Sequence, residues 1–255
     1  MKTLDQIISP IAAELTWFEA LFRQTLQADT EPMNSIMHYV SETKGKQLRP
    51  ILVLLSAKLF GEVNRQTLRA ATFVEMVHSA TLIHDDVVDD ADERRNRASL
   101  KAQFGNLSAV LAGDYLLAKA MLLLSHPEDQ AILQEMLSTT AAMSEGELMQ
   151  NQKQSDYIDI LTRKTAMLMR SCCVAGALSA KAKAHQVQQI ADFGLQFGIL
   201  FQLRDDILDK EHMEQAQALL PAYQSKTLQS LKALPDNETA RALQELTLFC
   251  AERME

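Results

Sequence analysis

The sequence predicts an all-α fold: a single-domain bundle of long, mostly antiparallel helices around a central cavity. Three observations predict it. Apolar residues make up 47% of the chain and aromatics only 5%, with 12 Met and much Leu and Ala. Gly and Pro number 8 and 6, too few for a turn-rich sandwich or a Gly-rich nucleotide-binding sheet. Apolar positions recur at helical spacing, and no segment alternates with period two.

The elements follow in order. Residues 3–28 carry helical spacing, with Pro10 near the start and Trp17 and Phe18 inside. Pro32 opens a short helix that frays around Glu42-Thr43-Lys44-Gly45-Lys46. Pro50 suits the first turn of an apolar helix over 51–60, which Gly61 ends. Asn64 can cap a helix over 66–90, and a charged loop, 92–97, follows. After Gly105 an apolar helix runs through Val110, Leu111, Leu116 and Leu122 to Ser125-His126-Pro127. Further helices are expected over 128–152, 157–183 and 186–210. Pro221 and Pro235 are expected to divide the tail into shorter ones. No tandem repeat or linker marks a boundary within the 255 residues.

Charge and cysteine usage limit the function classes. A net charge of −8 without a basic stripe argues against a nucleic-acid partner. Cys172, Cys173 and Cys250 are odd in number and lack metal-ligand spacing, so they read as core residues in a reducing compartment. The N-terminus has no signal-like apolar stretch, and no uninterrupted apolar run reaches the ~18 residues of a membrane span. A cytoplasmic, non-transmembrane protein is expected.

The chemistry concentrates in two matched stretches. Asp85, Asp86 and Asp89 close the apolar run Ala80-Thr81-Leu82-Ile83-His84, and Asp205, Asp206 and Asp209 close Phe201-Gln202-Leu203-Arg204. On a helix, i and i+4 share a face and i+1 lies beside them, so each triad crowds like charges at a cost that a cation offsets. Mg²⁺ takes one or two carboxylates and completes its octahedron with phosphate oxygens. Two facing triads would therefore hold several Mg²⁺ ions and leave room for a diphosphate. The run Asp89-Asp90-Ala91-Asp92 lacks the Gly and closing Glu of a calcium loop. Lys46, Arg49, His78, Arg94, Arg95 and Lys164 supply candidate anion clamps. Taken singly, Lys46 or Arg49 reads as a solvated surface residue and His78 as a core histidine. Their joint occurrence with two triads carries the functional reading.

These residues carry a resemblance to the trans-isoprenyl diphosphate synthases, long-chain type, which extend allylic diphosphates with isopentenyl diphosphate. The matching pieces are Gly45-Lys46-Gln47-Leu48-Arg49-Pro50, the stretch 77–89 with Arg94-Arg95, Ala112-Gly113-Asp114-Tyr115-Leu116-Leu117, Gly146-Glu147-Leu148-Met149-Gln150, Lys164-Thr165-Ala166, and 198–209. The resemblance covers about residues 40–210. It implies that both triads bind Mg²⁺, that Arg94, Lys164 and Gln202 contact the allylic diphosphate, that Gly45, Lys46, Arg49, His78 and Arg95 hold the isopentenyl diphosphate, and that Thr165 is a further substrate-binding residue. It also implies a homodimer, for which the Leu-rich helix 107–124 is the candidate interface and ordinary core the alternative.

Product length follows from the residues preceding Asp85. Ala80 and Thr81 lie one turn back, Met76 and Val77 two turns, and Phe73 three. A bulky aromatic at 80 or 81 would plug a chain-measuring tunnel; Ala80 and Thr81 leave it open, so a medium-to-long product is expected, with Phe73 or a neighbouring helix as the floor. Two other readings compete. A non-catalytic partner subunit would show eroded triads, and a terpene cyclase would lack the second diphosphate set. After Asp209 the family's Gly-Lys loop and its Gly-Lys-x-Thr-x-Pro segment have no counterpart. Either the chain is naturally shortened here or the lid segment after Lys210 is omitted from this sequence, and omission is the favoured reading. The junction after Gln150 also reads a few residues short.

Overall fold

Proline, glycine and capping side chains set most helix boundaries in a computed structural model of the chain, which describes residues 2–43, 45–152 and 156–252. Thr3 caps α1 (Leu4–Ile7), and a 3₁₀ turn at Ser9–Ile11 leads into α2 (Ala12–Thr25). The single helix expected over 3–28 is therefore broken, because Pro10 has no N–H to give the preceding turn. α3 (Glu31–Glu42) starts at Pro32, and α4 (Leu48–Phe60) carries Pro50 in its first turn. Asn64 caps α5 (Arg65–Val88) through a reciprocal pair of bonds with Thr67.

The charged loop expected at 92–97 is a two-stranded ribbon, β1 (Glu93–Arg94) against β2 (Arg97–Ala98). Arg95 and Asn96 make its turn at φ 54° and 60°, the geometry of a tight hairpin. The buried Lys101 pairs with Asp90 and Asp92 at the base of this loop. Tyr39 donates its hydroxyl to Ala98 O at 2.7 Å. α6 (Leu100–Phe104) and α7 (Asn106–Leu123) meet at Gly105, followed by α8 (Gln130–Gln152). The short junction expected after Gln150 falls in part outside the described residues.

The helix expected over 157–183 divides into α9 (Tyr157–Leu161), a π turn at Thr162–Ala166, and α10 (Met167–Ser179). α11 (Ala184–Asp209) ends at Lys210, which takes the left-handed conformation. Only Lys210, Glu211 and His212 join it to α12 (Met213–Ser230), and α13 (Glu238–Glu252) follows. Pro221 sits inside α12 instead of dividing it. The proline is exposed, as is Gln217, so the carbonyl it leaves unpaired can turn to water.

α4 and α10 are buried on nearly every side, as apolar-all-round helices are in a large core. They pack on each other and hold α5 and α11 on either side. One core cluster runs from Ile7 to Cys250 and includes all three thiols. α7 packs one face on α5 and exposes the other, Leu107 at 74% and Leu122 at 67%. By length and mean composition α7 could cross a membrane, although Asp114 and Lys119 interrupt its apolar run.

Candidate active site

Both triads occupy the last turn of a helix, Asp89 capping α5 and Asp209 ending α11, with no basic residue in either last turn. Helix macrodipoles disfavour negative charge there, which adds to the like-charge cost. The three carboxylates of each triad are not equivalent. Asp86 is buried and paired with Arg94, whose Nε and Nη2 lie 2.7 and 2.6 Å from Oδ1. Asp206 is buried and accepts from Tyr157 Oη at 2.5 Å and Gln202 Nε2 at 2.8 Å. Asp85 and Asp205 are half-buried, and Asp89 and Asp209 are exposed.

Asp85 is the perturbed carboxylate, pushed up from 3.8 to about 6. Burial is the main cause; Glu147 and Asp89 push the same way, against Lys164 and Arg94. A carboxyl raised on folding favours the fold while protonated. That contribution is full below the unfolded value near 3.8 and is lost as pH rises through about 6. Glu147→Gln, which removes the largest like charge, is expected to move Asp85 back toward 3.8. A carboxyl NMR titration of the metal-free protein reads this, and an unmoved Asp85 refutes the assignment.

The π turn joins the two triads. Lys164 lies on it, 2.7 Å from Glu147 and 3.0 Å from Gln150 Oε1, while Thr165 donates to Gln202 Oε1 at 2.9 Å. One turn thus presents a lysine toward α8 and α5 and a threonine toward α11. Two glycines admit it: a Cβ at Gly146 would stand 2.8 Å from Lys164 N, and one at Gly198 would stand 2.5 Å from Ala166 Cα. Insertions of this kind recur at functional sites.

A second cationic cluster lies on the other side of the hairpin. Arg95 donates to Thr43 O at 3.0 Å, and its guanidinium fills the place a Cβ on Gly45 would take, 2.6 Å away. Arg49 Nη1 is 2.9 Å from His78 Nε2. Burial, and then Arg49, Arg95 and Arg94, hold His78 well below its ordinary value, so the ring is neutral and accepts from the arginine. Arg49 Nε is buried with no hydrogen-bond partner, an unspent donor in a cationic pocket. Burial lowers Arg49, while the buried Glu75 nearby is raised by burial and opposed by Arg49 and Arg95. Lys46 is exposed on the loop that precedes α4.

The structure thus brings Asp85 together with Glu147, Lys164 and Arg94; Asp206 with Gln202, Thr165 and Tyr157; and Arg49 with His78, Arg95 and Gly45. Phe73, Met76, Val77 and Ala80 are buried along α5, and Thr81 is half-buried with its hydroxyl on His78 O. A cavity of about 60 Å³ opens beside Leu82, Ile83, Asp86, Arg94 and Arg95, and its lining includes none of those five. Sequence reasoning missed Glu75, Glu147, Gln150 and Tyr157. Glu147 and Gln150 stood inside a quoted motif without a role; Tyr157 reaches Asp206 across 49 positions, beyond any local spacing. Among the described residues no three His, Cys, Asp or Glu converge as a ready metal cage.

The fold and these clusters define a helical protein with acidic and cationic sites at the ends of two central helices. The chain belongs to the polyprenyl synthetase family, whose model matches residues 30–218. Octaprenyl diphosphate synthase of Haemophilus influenzae is 35% identical over 198 residues, covering 75% of this chain and 60% of that protein. The chain therefore matches less than two thirds of that relative's length. A decaprenyl diphosphate synthase structure from Rhodobacter capsulatus superposes with a TM-score of 0.89 at 25% identity, covering 99% of this chain and 100% of that one. The polyprenyl synthase from Caulobacter crescentus CB15, solved in complex with calcium and isoprenyl diphosphate, gives 0.92 at 24%, covering 99% and 98%.

Proposed function

We propose that the chain is a Mg²⁺-dependent trans-prenyltransferase that condenses isopentenyl diphosphate with an allylic diphosphate to give a medium-to-long polyprenyl diphosphate. One observation carries this reading: Arg94 and Arg95, adjacent in sequence, line one cavity but aim their guanidinium groups at different partners. Arg94 turns to Asp86 and the first triad, and Arg95 to Gly45, Arg49 and His78. Two anion sites suit two diphosphate substrates, whereas a cyclase needs one.

In this reading Asp85, Asp89, Asp205 and Asp209 would be the main metal carboxylates, beside Asp86 on Arg94 and Asp206 on Tyr157 and Gln202. Mg²⁺ held by these carboxylates would supply positive charge that draws electron density from the leaving diphosphate. Arg94, Lys164 and Gln202 grip that diphosphate and stabilise the charge it gains as the allylic C–O bond breaks. Gly45 leaves room for Arg95, which with Lys46, Arg49 and His78 orients the isopentenyl diphosphate so that its double bond meets the allylic carbon. The isopentenyl double bond is the nucleophile and the released diphosphate takes the proton lost on elimination, so neither a protein nucleophile nor a protein base is required. Radiolabelled isopentenyl diphosphate, with farnesyl diphosphate and Mg²⁺, tests the reaction. Incorporation by the chain alone also sets aside a non-catalytic subunit; no incorporation refutes the proposal.

The buried wall from Phe73 to Ala80 sets product length. Ala80→Phe adds a ring at a fully buried position. It is expected to shift the product to shorter chains, read by chromatography of the dephosphorylated alcohols. An unchanged distribution removes Ala80 from the wall. We place an omitted lid segment at the tight Glu211-His212 junction; an intact mass of 28.5 kDa for the purified protein would refute it. We also assign α7 as the contact between two copies of the chain, since its outer face is apolar over four turns apart from Asp114.

A further inference from the structure

Lys101, Asp90 and Asp92 serve neither diphosphate site, yet they meet where the hairpin leaves the end of α5. The Lys101 side chain is 7% exposed, and its ammonium pairs with Asp90 and, at 3.3 Å, with Asp92. The two carboxylates are 90% and 83% exposed, so water alone could satisfy them, whereas a shielded lysine needs an anion. Asp90 follows the first triad directly. It takes φ 53°, and the next N–H, of Ala91, returns to Asp86 O at 3.0 Å, the Schellman close of α5. Asp92 O accepts from Ser99 N at 2.8 Å across the base of the hairpin, and Ser99 Oγ caps α6, which carries Lys101. One ammonium thus joins the stop of α5, the hairpin base and α6. Such a tie matters because the hairpin is loosely seated. Arg94, Arg95 and Ala98 wall a cavity of about 60 Å³ together with Tyr39, Leu82 and Ile83 of α3 and α5, so packing alone does not fix the ribbon.

We propose that Lys101 is a positioning residue: its ion pairs with Asp90 and Asp92 set the pose of the hairpin, which aims Arg94 at the first triad and Arg95 at the Gly45, Arg49 and His78 cluster. This rests on the prenyltransferase reading above. Arg94 and Arg95 ride on one short ribbon, so a tilt at its base moves both guanidinium groups at once. Tyr39 steadies the far strand through Ala98 O and through Arg97, whose guanidinium lies 4.6 Å from the ring. Lys101 holds the near one. The ammonium also offsets two carboxylates beside the triad, so Asp90 and Asp92 serve the lysine and leave metal binding to the triad.

Calorimetry of isopentenyl diphosphate, and of a thio analogue of farnesyl diphosphate whose C–S bond resists ionisation, reads the two sites with Mg²⁺ present. Lys101→Met is expected to weaken both affinities about tenfold, within the ~10²-fold that a misplacement of ~1 Å can cost. Amide hydrogen exchange should show a loss of protection at Ser99, whose bond closes the hairpin base. Lys101→Arg, which keeps the charge and the donors, should stay within about threefold of wild type. Asp90→Asn with Asp92→Asn should match Lys101→Met, since asparagine keeps the left-handed backbone and only the charges go. These surface changes also decide the matter if Lys101→Met does not fold. Combining all three should add less than about twofold, the mark of one shared interaction. Wild-type affinities in Lys101→Met, loss at one site only, Lys101→Arg as weak as Lys101→Met, or losses that multiply overturn the proposal. A wild type that binds both diphosphates and loses them together in Lys101→Met, but transfers no prenyl group, sinks the enzyme reading and leaves the positioning role standing.

Discussion

Asp85→Asn is expected to lower the single-turnover condensation rate about 10³-fold while the melting temperature stays level or rises. The two effects have one cause. Asparagine keeps the shape of the side chain, so the packing of α5 is undisturbed. It removes a charge that burial, Glu147 and Asp89 already disfavour, as the value of about 6 records. The fold gains or is unaffected; the site loses an oxygen ligand whose charge matters most in the transition state. A deficit of about 4 kcal/mol in that stabilisation corresponds to about 10³ in rate. Asp86→Asn should behave in the opposite sense. Asp86 is buried against Arg94, so the variant strands a guanidinium and lowers stability, by less than a fully buried pair would because Arg94 is one-third exposed. Rates and thermal melts of the two variants decide the matter. An Asp85→Asn protein within tenfold of wild type, or one that melts far earlier, contradicts this account of the triad.

The contrast between Asp85 and Asp86 marks where the sequence stops being readable. The i, i+1, i+4 spacing placed both triads at helix ends because local geometry alone determines that. Pro32, Pro50 and Asn64 announced helix starts for the same reason, each acting on its own backbone. The spacing could not separate a carboxylate turned into the protein from one left for a ligand. That depends on Arg94, whose approach to Asp86 is set by a hairpin turning at Arg95-Asn96. Without an Asn-Gly or Asp-Gly pair the hairpin has no short-range signature. Pro221 misled in the other direction, since an exposed helix face lets water take the orphaned carbonyl. Glu147 and Tyr157 were out of reach because their partners lie on other helices.

The π turn shows the same limit and gives the second large effect. Gly198→Ala is expected to lower the melting temperature by about 5 °C and raise KM for the allylic diphosphate, leaving KM for isopentenyl diphosphate near wild type. Alanine is the better helix former by up to about 1 kcal/mol, so propensity alone predicts stabilisation. Packing outweighs it here. The new Cβ would lie 2.5 Å from Ala166 Cα and 3.0 Å from Ala166 O, backbone atoms that no rotamer change can move aside. Either α11 retreats or the turn at Thr162–Ala166 relaxes, at about 1–3 kcal/mol for overpacking. Both responses pull Thr165 from Gln202, which in turn holds Asp206, and shift Lys164 beside them. The Arg49, His78 and Arg95 cluster shares none of these contacts, so the two Michaelis constants should part. Gly61→Ala is the control: its backbone is extended and its nearest contact would be an ordinary 3.4 Å, so it should change stability by less than about 0.5 kcal/mol. Equal effects from the two substitutions would mean that the close approach of α11 to the π turn does not hold the allylic site in shape.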